Sequence, residues 1–229
     1  MIIHGYLYVA AILTFEKKYV ILFIYASALY LYSKLMKATP RILLSKFYDD
    51  NRLGADGGQS SPAVKIEIAK GFYFYFPNFD ARRKAVYLHD IHHLVTGYET
   101  TLVGESEISA WEIASGCRNY PAAFLINTSG LMIGLPFHFW GVLKAFARGR
   151  RTRNLYNHIM SLEQAMDTPV EELKTMLHLD TIPRQLKPGF TDFLLFLLFI
   201  VYGAVYSFLS IILIPFILVY SLYARIKGY

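Results

Sequence analysis

Three of the chain's seven histidines, His89, His92 and His93, fall within five residues, beside Asp90, in the stretch LHDIHHLVTGY. Acidic residues follow at Glu99, Glu105 and Glu107. On a helix, His89 and His93 are four apart, so their imidazoles share one face and can reach a common ion. Asp90 lies about 100° further round the axis, at the edge of that face. There it can ligate directly or orient a ligating histidine. Glu105 follows His93 by twelve residues, and a tight turn between Gly97 and Gly104 would return it to the histidines. Two histidines, one aspartate and one glutamate make a nitrogen and oxygen donor set for a divalent ion. Zinc suits it, and Fe2+ or Mn2+ also fits. His92, three residues from His89, competes with His93 for the ligand role. The plainer reading is a polar cluster on an ordinary helix.

Two other histidine chemistries fail on count and placement. Membrane desaturases and hydroxylases need several clustered histidine boxes, whereas His4, His138, His158 and His178 are isolated. Phosphohydrolases with an adjacent His-Asp need an upstream metal-binding histidine, and only His4 lies upstream. A zinc hydrolase with Asp90 as base survives, although aspartate is a shorter reach than glutamate towards a metal-bound water.

The elements that must position these residues read as helices. DARRKAVYLHDIHHLVTG has Asp80 as an N-cap and Gly97 as a stop, with Ala85, Leu88 and Val95 on an apolar face. A second helix is expected over Gly104–Gly116, and a third, apolar one over Ser129–Ala147 with Pro136 inside it. The basic run RGRRTR, Arg148–Arg153, suits anionic lipid headgroups. Two amphipathic helices follow, the second capped by Thr168 with Pro169 at its first position and Glu171 three residues on. Upstream, the apolar run Tyr19–Tyr32 is too short to span a bilayer and reads as a core or interfacial helix. Tyr48–Pro62 reads as a loop, and Val64, Ile66 and Ile68 alternate with charges as in a short strand or a helix start. The aromatics Phe72–Phe76 read as core, or as the lining of a greasy cavity.

Composition places the chain at a membrane. Of 229 residues 55% are hydrophobic and only 17% charged, against about 25% charged in an average soluble domain. The net charge of +6 suits an anionic membrane surface. No basic stripe with interleaved aromatics is present, so nucleic acid is not an expected partner. The single cysteine, Cys117, cannot form an internal disulfide. The N-terminus resembles neither a signal peptide nor a transit peptide, which points to the cytoplasmic face of a bacterial inner membrane. Phe193–Tyr223 is 31 residues without a charge. As one helix it would be about 46 Å long, against about 30 Å of hydrocarbon. Gly203 and Pro215 offer bends, and Arg184, Lys187, Arg225 and Lys227 flank both ends. Basic flanks on both sides favour a hairpin dipping into one leaflet, with a tilted single span as the alternative.

The expected fold is all-α: a helical bundle carrying a metal site, with a C-terminal hydrophobic membrane helix or hairpin. Its parts are apolar N-terminal helices at 1–37, a metal-binding domain at 38–185 and a membrane-anchoring segment at 186–229. The motif His89-Asp90-x-x-His93, eleven residues, then Glu105 resembles the hallmark of the coenzyme Q biosynthesis protein 4 family. LVGESEISAWEIASG and NLYNHIMSLEQAMDTPVEELKTMLHL resemble that family's neighbouring helices, so the likeness covers about residues 80–180. The resemblance implies a divalent metal, usually taken as zinc, with His89, Asp90, His93 and Glu105 as its ligands and as catalytic residues. It implies ubiquinone biosynthesis: processing of ring carbon C1 of a polyprenylated hydroxybenzoate, as a carbon–carbon lyase (decarboxylase) or oxidative decarboxylase. It also implies scaffolding of the biosynthetic complex. The partners implied are membrane lipids, polyprenyl-benzoate or quinone intermediates and other ubiquinone-biosynthesis proteins, and a homodimer is compatible with it. The apolar start and the uncharged tail are not part of that family's pattern. The alternatives are a membrane-associated zinc-dependent hydrolase acting on a lipid-like substrate and a non-catalytic lipid-binding scaffold.

Overall fold

The computed structural model describes residues 20–21, 23–33, 38–69, 71–117, 120–157 and 160–228. The chain divides into two units, Met1–Ala38 and Thr39–Tyr229. In the first, residues 20–21 and 23–33 are helical and Phe23, Tyr25, Leu29 and Tyr30 are exposed. The rest of the expected apolar start lies outside the described residues.

The second unit opens with α1 (Pro40–Asp50), which takes in Tyr48, and continues into an antiparallel hairpin of β1 (Ala63–Ala69) and β2 (Phe72–Pro77). Among the described residues every later regular element is a helix, chiefly α2 (Asp80–Thr96), α3 (Leu102–Ser115), α4 (Pro121–Gly149), α5 (Leu162–Asp167), α6 (Val170–Met176), α7 (Phe190–Ser210) and α8 (Ile214–Lys227). The all-α expectation holds, with the strand reading winning at Val64–Ile68. Gly71, with φ 79°, supplies the left-handed residue that turns the hairpin.

Helix ends follow local chemistry with small shifts. Gly97 closes α2 in the left-handed region, and Thr101 caps α3 by accepting from the Gly104 N–H. Asp80 is the first residue of α2, not its cap; Phe79 holds the cap position. The cap expected at Thr168 does not form. The residue before a proline is pushed to extended backbone, so Thr168 ends α5 and its hydroxyl donates to the Gln164 carbonyl. The capping box stands instead at Ser161 and Gln164, at the start of α5.

The core forms where α3 lies along α4. A Cβ at Gly134 would sit 2.1 Å from the Ser106 Cβ, so the two backbones can approach only because position 134 carries no side chain. Ile91, Ile108, Trp111, Leu131, Leu143 and Leu173 are fully buried around this seam. Pro136 cannot donate to the helix ladder, and α4 kinks just after it, at His138 (φ −149°, ψ 46°).

The tail is one continuous helical run and not a hairpin. Ser210, Ile211, Leu213 and Ile214 all keep right-handed helical backbone. Pro215 clashes with the turn before it, and a single 3-10 turn at Ile211–Leu213 absorbs the clash without reversing the chain. Gly203 does not bend the helix; it seats Met132 of α4, whose Sδ a Cβ would meet at 2.5 Å. Phe196 and Gly203 face α4, while Phe190, Leu198, Val205, Phe208, Phe216 and Val219 are exposed. Two helical runs, Pro121–Gly149 and Phe190–Lys227, are long and apolar enough to cross a membrane.

The basic run after α4 serves the interior. Arg148 is buried and donates to the carbonyls of Thr96 and Ile182. Arg150 and Arg151 both pair with buried Asp192, which ties the base of α7 to the end of α4. Three arginines of the run expected to meet anionic headgroups thus have protein partners, while Arg150, Arg151 and Arg153 remain at the surface. Asp192, a buried carboxylate far away in sequence, draws two of them to the base of α7.

Candidate metal centre

The centre is built from two antiparallel turns of helix. Gly97 reverses the chain after α2, and the first turn of α3 brings Glu105 back over His89 and His93. His89 Nε2 and His93 Nε2 stand 3.1 Å apart. Glu105 reaches both, with one carboxylate oxygen 3.3 Å from His89 Nε2 and the other 3.3 Å from His93 Nε2. One ligand atom from each residue lies within 4.8 Å of the others, an arrangement that could hold a metal ion.

The other ring nitrogens are already committed. His89 Nδ1 is 3.0 Å from a Glu112 oxygen. His93 Nδ1 is 2.8 Å from the Tyr98 carbonyl oxygen, which can only accept. A proton on each Nδ1 satisfies these acceptors and leaves each Nε2 with its lone pair on the Glu105 side. Histidine ligands are held in this manner at metal sites, where the second nitrogen donates to a carboxylate or carbonyl. The spacing agrees. With metal–nitrogen distances of about 2.0–2.1 Å, neighbouring ligand atoms round a tetrahedral ion are separated by about 3.3 Å. Two histidines and one carboxylate fit zinc and also the facial donor set of non-haem iron.

Asp90 does not join this group. Its Oδ2 accepts from the Tyr48 hydroxyl at 2.9 Å, and burial pushes its carboxyl up to about 6. The expected set of four therefore divides into three residues brought together and one turned aside to α1.

Glu112 is the functional residue that spacing alone left unassigned. Seven residues after Glu105 it lies two turns along the same face of α3. It is completely buried, and one oxygen meets both His89 Nδ1 and, at 2.6 Å, His92 Nδ1. Asn127 of α4 donates to its other oxygen. Burial alone would raise the Glu112 carboxyl; His89 and His92 outweigh it and hold the group well below the usual range. His92 is thereby placed. Its Nε2 accepts the Leu155 N–H at 3.0 Å, so its proton sits on Nδ1 and goes to Glu112. Burial lowers its affinity for a second proton. His92 is a support for the centre and not a competing ligand.

The electrostatics favour a cation. Burial opposes charge on Glu105, yet the two histidines hold its carboxyl down to about 2. His89 lies between two carboxylates, Glu112 and Glu105, and against the pull of burial they raise its affinity for a proton. The same field raises its affinity for a metal ion. Glu105 is the open side of the centre, with 38% of its side chain exposed against 2% for His93.

No family model, no curated protein and no solved structure matches the chain.

Proposed function

We propose that this chain is a membrane-associated, metal-dependent enzyme of ubiquinone biosynthesis. It processes ring carbon C1 of a lipid-tailed hydroxybenzoate at the cytoplasmic face of a bacterial inner membrane. The observation that carries the reading is the committed state of both Nδ1 atoms. It leaves two imidazole lone pairs and one carboxylate converging from three residues of the motif that resembles the coenzyme Q biosynthesis protein 4 family. Three protein donors leave coordination positions open, as in catalytic rather than structural zinc sites. When bound there, a divalent ion would supply Lewis-acid polarisation of a substrate phenolate or carboxylate oxygen. The chain's own part is to hold the imidazoles from behind with Glu112 and the Tyr98 carbonyl. The apolar helices α4 and α7 keep the centre beside the lipid in which a polyprenyl substrate dissolves. The hydrolase alternative is less well supported, because Asp90, its required base, is hydrogen-bonded to Tyr48.

The test is complementation of a bacterial strain that lacks its own C1-processing function, with quinone intermediates read by mass spectrometry. Wild-type chain is expected to restore quinone, and His93→Ala to accumulate the carboxylated precursor and to purify without metal. If wild-type chain carries metal yet restores nothing, the ubiquinone reading fails and the metal centre serves another substrate.

A further inference from the structure

A second polar site lies where both membrane-length helices begin to carry charge. A small cavity of about 130 Å³ is lined by Tyr98, Glu107, His138, Trp140, Lys144 and Arg184, among others. At about 30 Å³ for each water-sized group, it has room for one tetrahedral oxyanion but not for a drug-sized molecule. The kink after Pro136 makes the site. His138 folds back to within 3.3 Å of Glu107, and a Cβ at Gly141 would overlap the ring.

Positive charge is in excess here. Arg184 pairs with Glu107 at 2.7 Å, which accounts for the one carboxylate. Lys144 donates to the neutral Gln185 amide at 3.0 Å and keeps two further N–H donors. Arg148, behind the Tyr98 ring, is buried and its hydrogen bonds go to carbonyls. The Arg184 Nε and the Tyr98 hydroxyl are buried with no hydrogen-bond partner. A part-buried cavity lined by two cations and one carboxylate, with Arg148 behind it and two buried donor atoms left without partners, is short of an anion.

The surroundings say which anion. On α4, Ile133, Phe137 and Trp140 are exposed, and the first basic residue, Lys144, follows one turn later. Arg184 and Lys187 likewise stand just before Phe190, where the apolar run of α7 begins. The cavity thus sits at the apolar-to-basic boundary of both candidate spans, the depth at which tryptophan and lipid headgroups meet. Basic pockets between membrane helices bind lipid headgroups at this level.

We propose that the cavity framed by Lys144, Arg184 and His138 holds the phosphate of an anionic phospholipid, whose acyl chains run along exposed Phe137 and Trp140. This site is separate from the metal centre and does not depend on the reaction assigned to it.

The experiment uses the full chain in detergent, titrated with dioleoylphosphatidylglycerol and read by native mass spectrometry. Lys144→Gln is expected to weaken lipid retention about tenfold, the order of one lost hydrogen bond to a charged group. Lys187→Gln, a nearby basic residue outside the cavity, should weaken it much less. Inorganic phosphate in large excess should not displace the lipid. Equal retention by Lys144→Gln and wild type overturns the proposal. So does an equal loss in Lys187→Gln, which would mean diffuse surface attraction. Full displacement by inorganic phosphate overturns the lipid assignment and leaves a site for a free anion. If Lys144→Gln loses its helical circular dichroism, Gln185→Glu, which adds a carboxylate to the same cavity, carries the same expectation.

Discussion

The α2–α3 seam and the α7–α8 rod bury opposite things. At the seam, His92, Glu112 and Asn127 are all but completely buried, each held by specific hydrogen bonds. Along the rod, Phe190, Val205, Phe208 and Val219 are exposed, with Phe196 and Gly203 among the few buried residues. A protein surrounded by water on all sides has this the other way round. Polar groups can be buried at the seam because both Glu112 oxygens have donors, in His89, His92 and Asn127, so desolvation is offset. The exposed apolar groups of the rod lie on a helical run long and apolar enough to cross a membrane, where lipid would cover them. The contrast is between a seam that buries polar groups and a rod that exposes apolar ones, with Asp192 and its two arginines joining the parts.

The comparison breaks first at the metal. Glu105→Ala or His93→Ala is expected to abolish stoichiometric metal, measured by elemental analysis of purified protein, while helical circular dichroism is retained. Full metal in either variant would reduce the seam to a hydrogen-bonded cluster. On the rod, Val205→Lys places a charge on the lipid face, which costs about 2.5–3.5 kcal/mol at the centre of a membrane helix. The variant should pass from the carbonate-resistant membrane fraction towards the soluble one; an unchanged distribution would mean that lipid does not surround position 205. Glu112→Gln keeps the shape of the support but removes its charge. Metal affinity by competition titration should fall about 10- to 100-fold, the usual effect of losing such a support.

Asp90→Asn should have the smallest effect and sharpens the contrast within the motif itself. Metal content should not change, because Asp90 faces Tyr48. A change as large as that in Glu105→Ala would return Asp90 to the ligands. Its stability effect has a definite sign. The folded-state carboxyl is raised from 3.8 to about 6, so ionisation is disfavoured in the folded protein. Wild type therefore loses stability as pH rises from about 4 through 6, and the amide does not. Thermal melts should show the variant level with wild type below pH 4 and more stable, by up to about 3 kcal/mol, above pH 6.

Much of the centre was legible because it depends on short-range periodicity. Four residues on one helix put His89 and His93 together, and Gly97 forces the turn that returns Glu105. Glu112, seven residues beyond Glu105, could have been found by the same rule but stayed unassigned, because only the buried position of His92 gives it a purpose. Asp90 was misplaced because the edge of a helix face can turn either way, and its partner Tyr48 is 42 residues distant in a stretch that reads as loop. The tail's apolar character was plain, whereas its path was not: Gly and Pro permit a bend without requiring one.

Residue type and spacing by themselves determined the helical class, an expected donor set of four that contains the three converging residues, and a tail too apolar for water. These follow from the helical period and from solvation, which act over a few residues. Tertiary structure alone decided that Asp90 turns to α1, that His92 accepts from Leu155, that Arg150 and Arg151 clamp Asp192, and that the tail continues as one helical run. Each of those depends on a partner brought in from a distant part of the chain, or on a contact such as Gly203 with Met132, and local sequence carries no record of which partner will arrive.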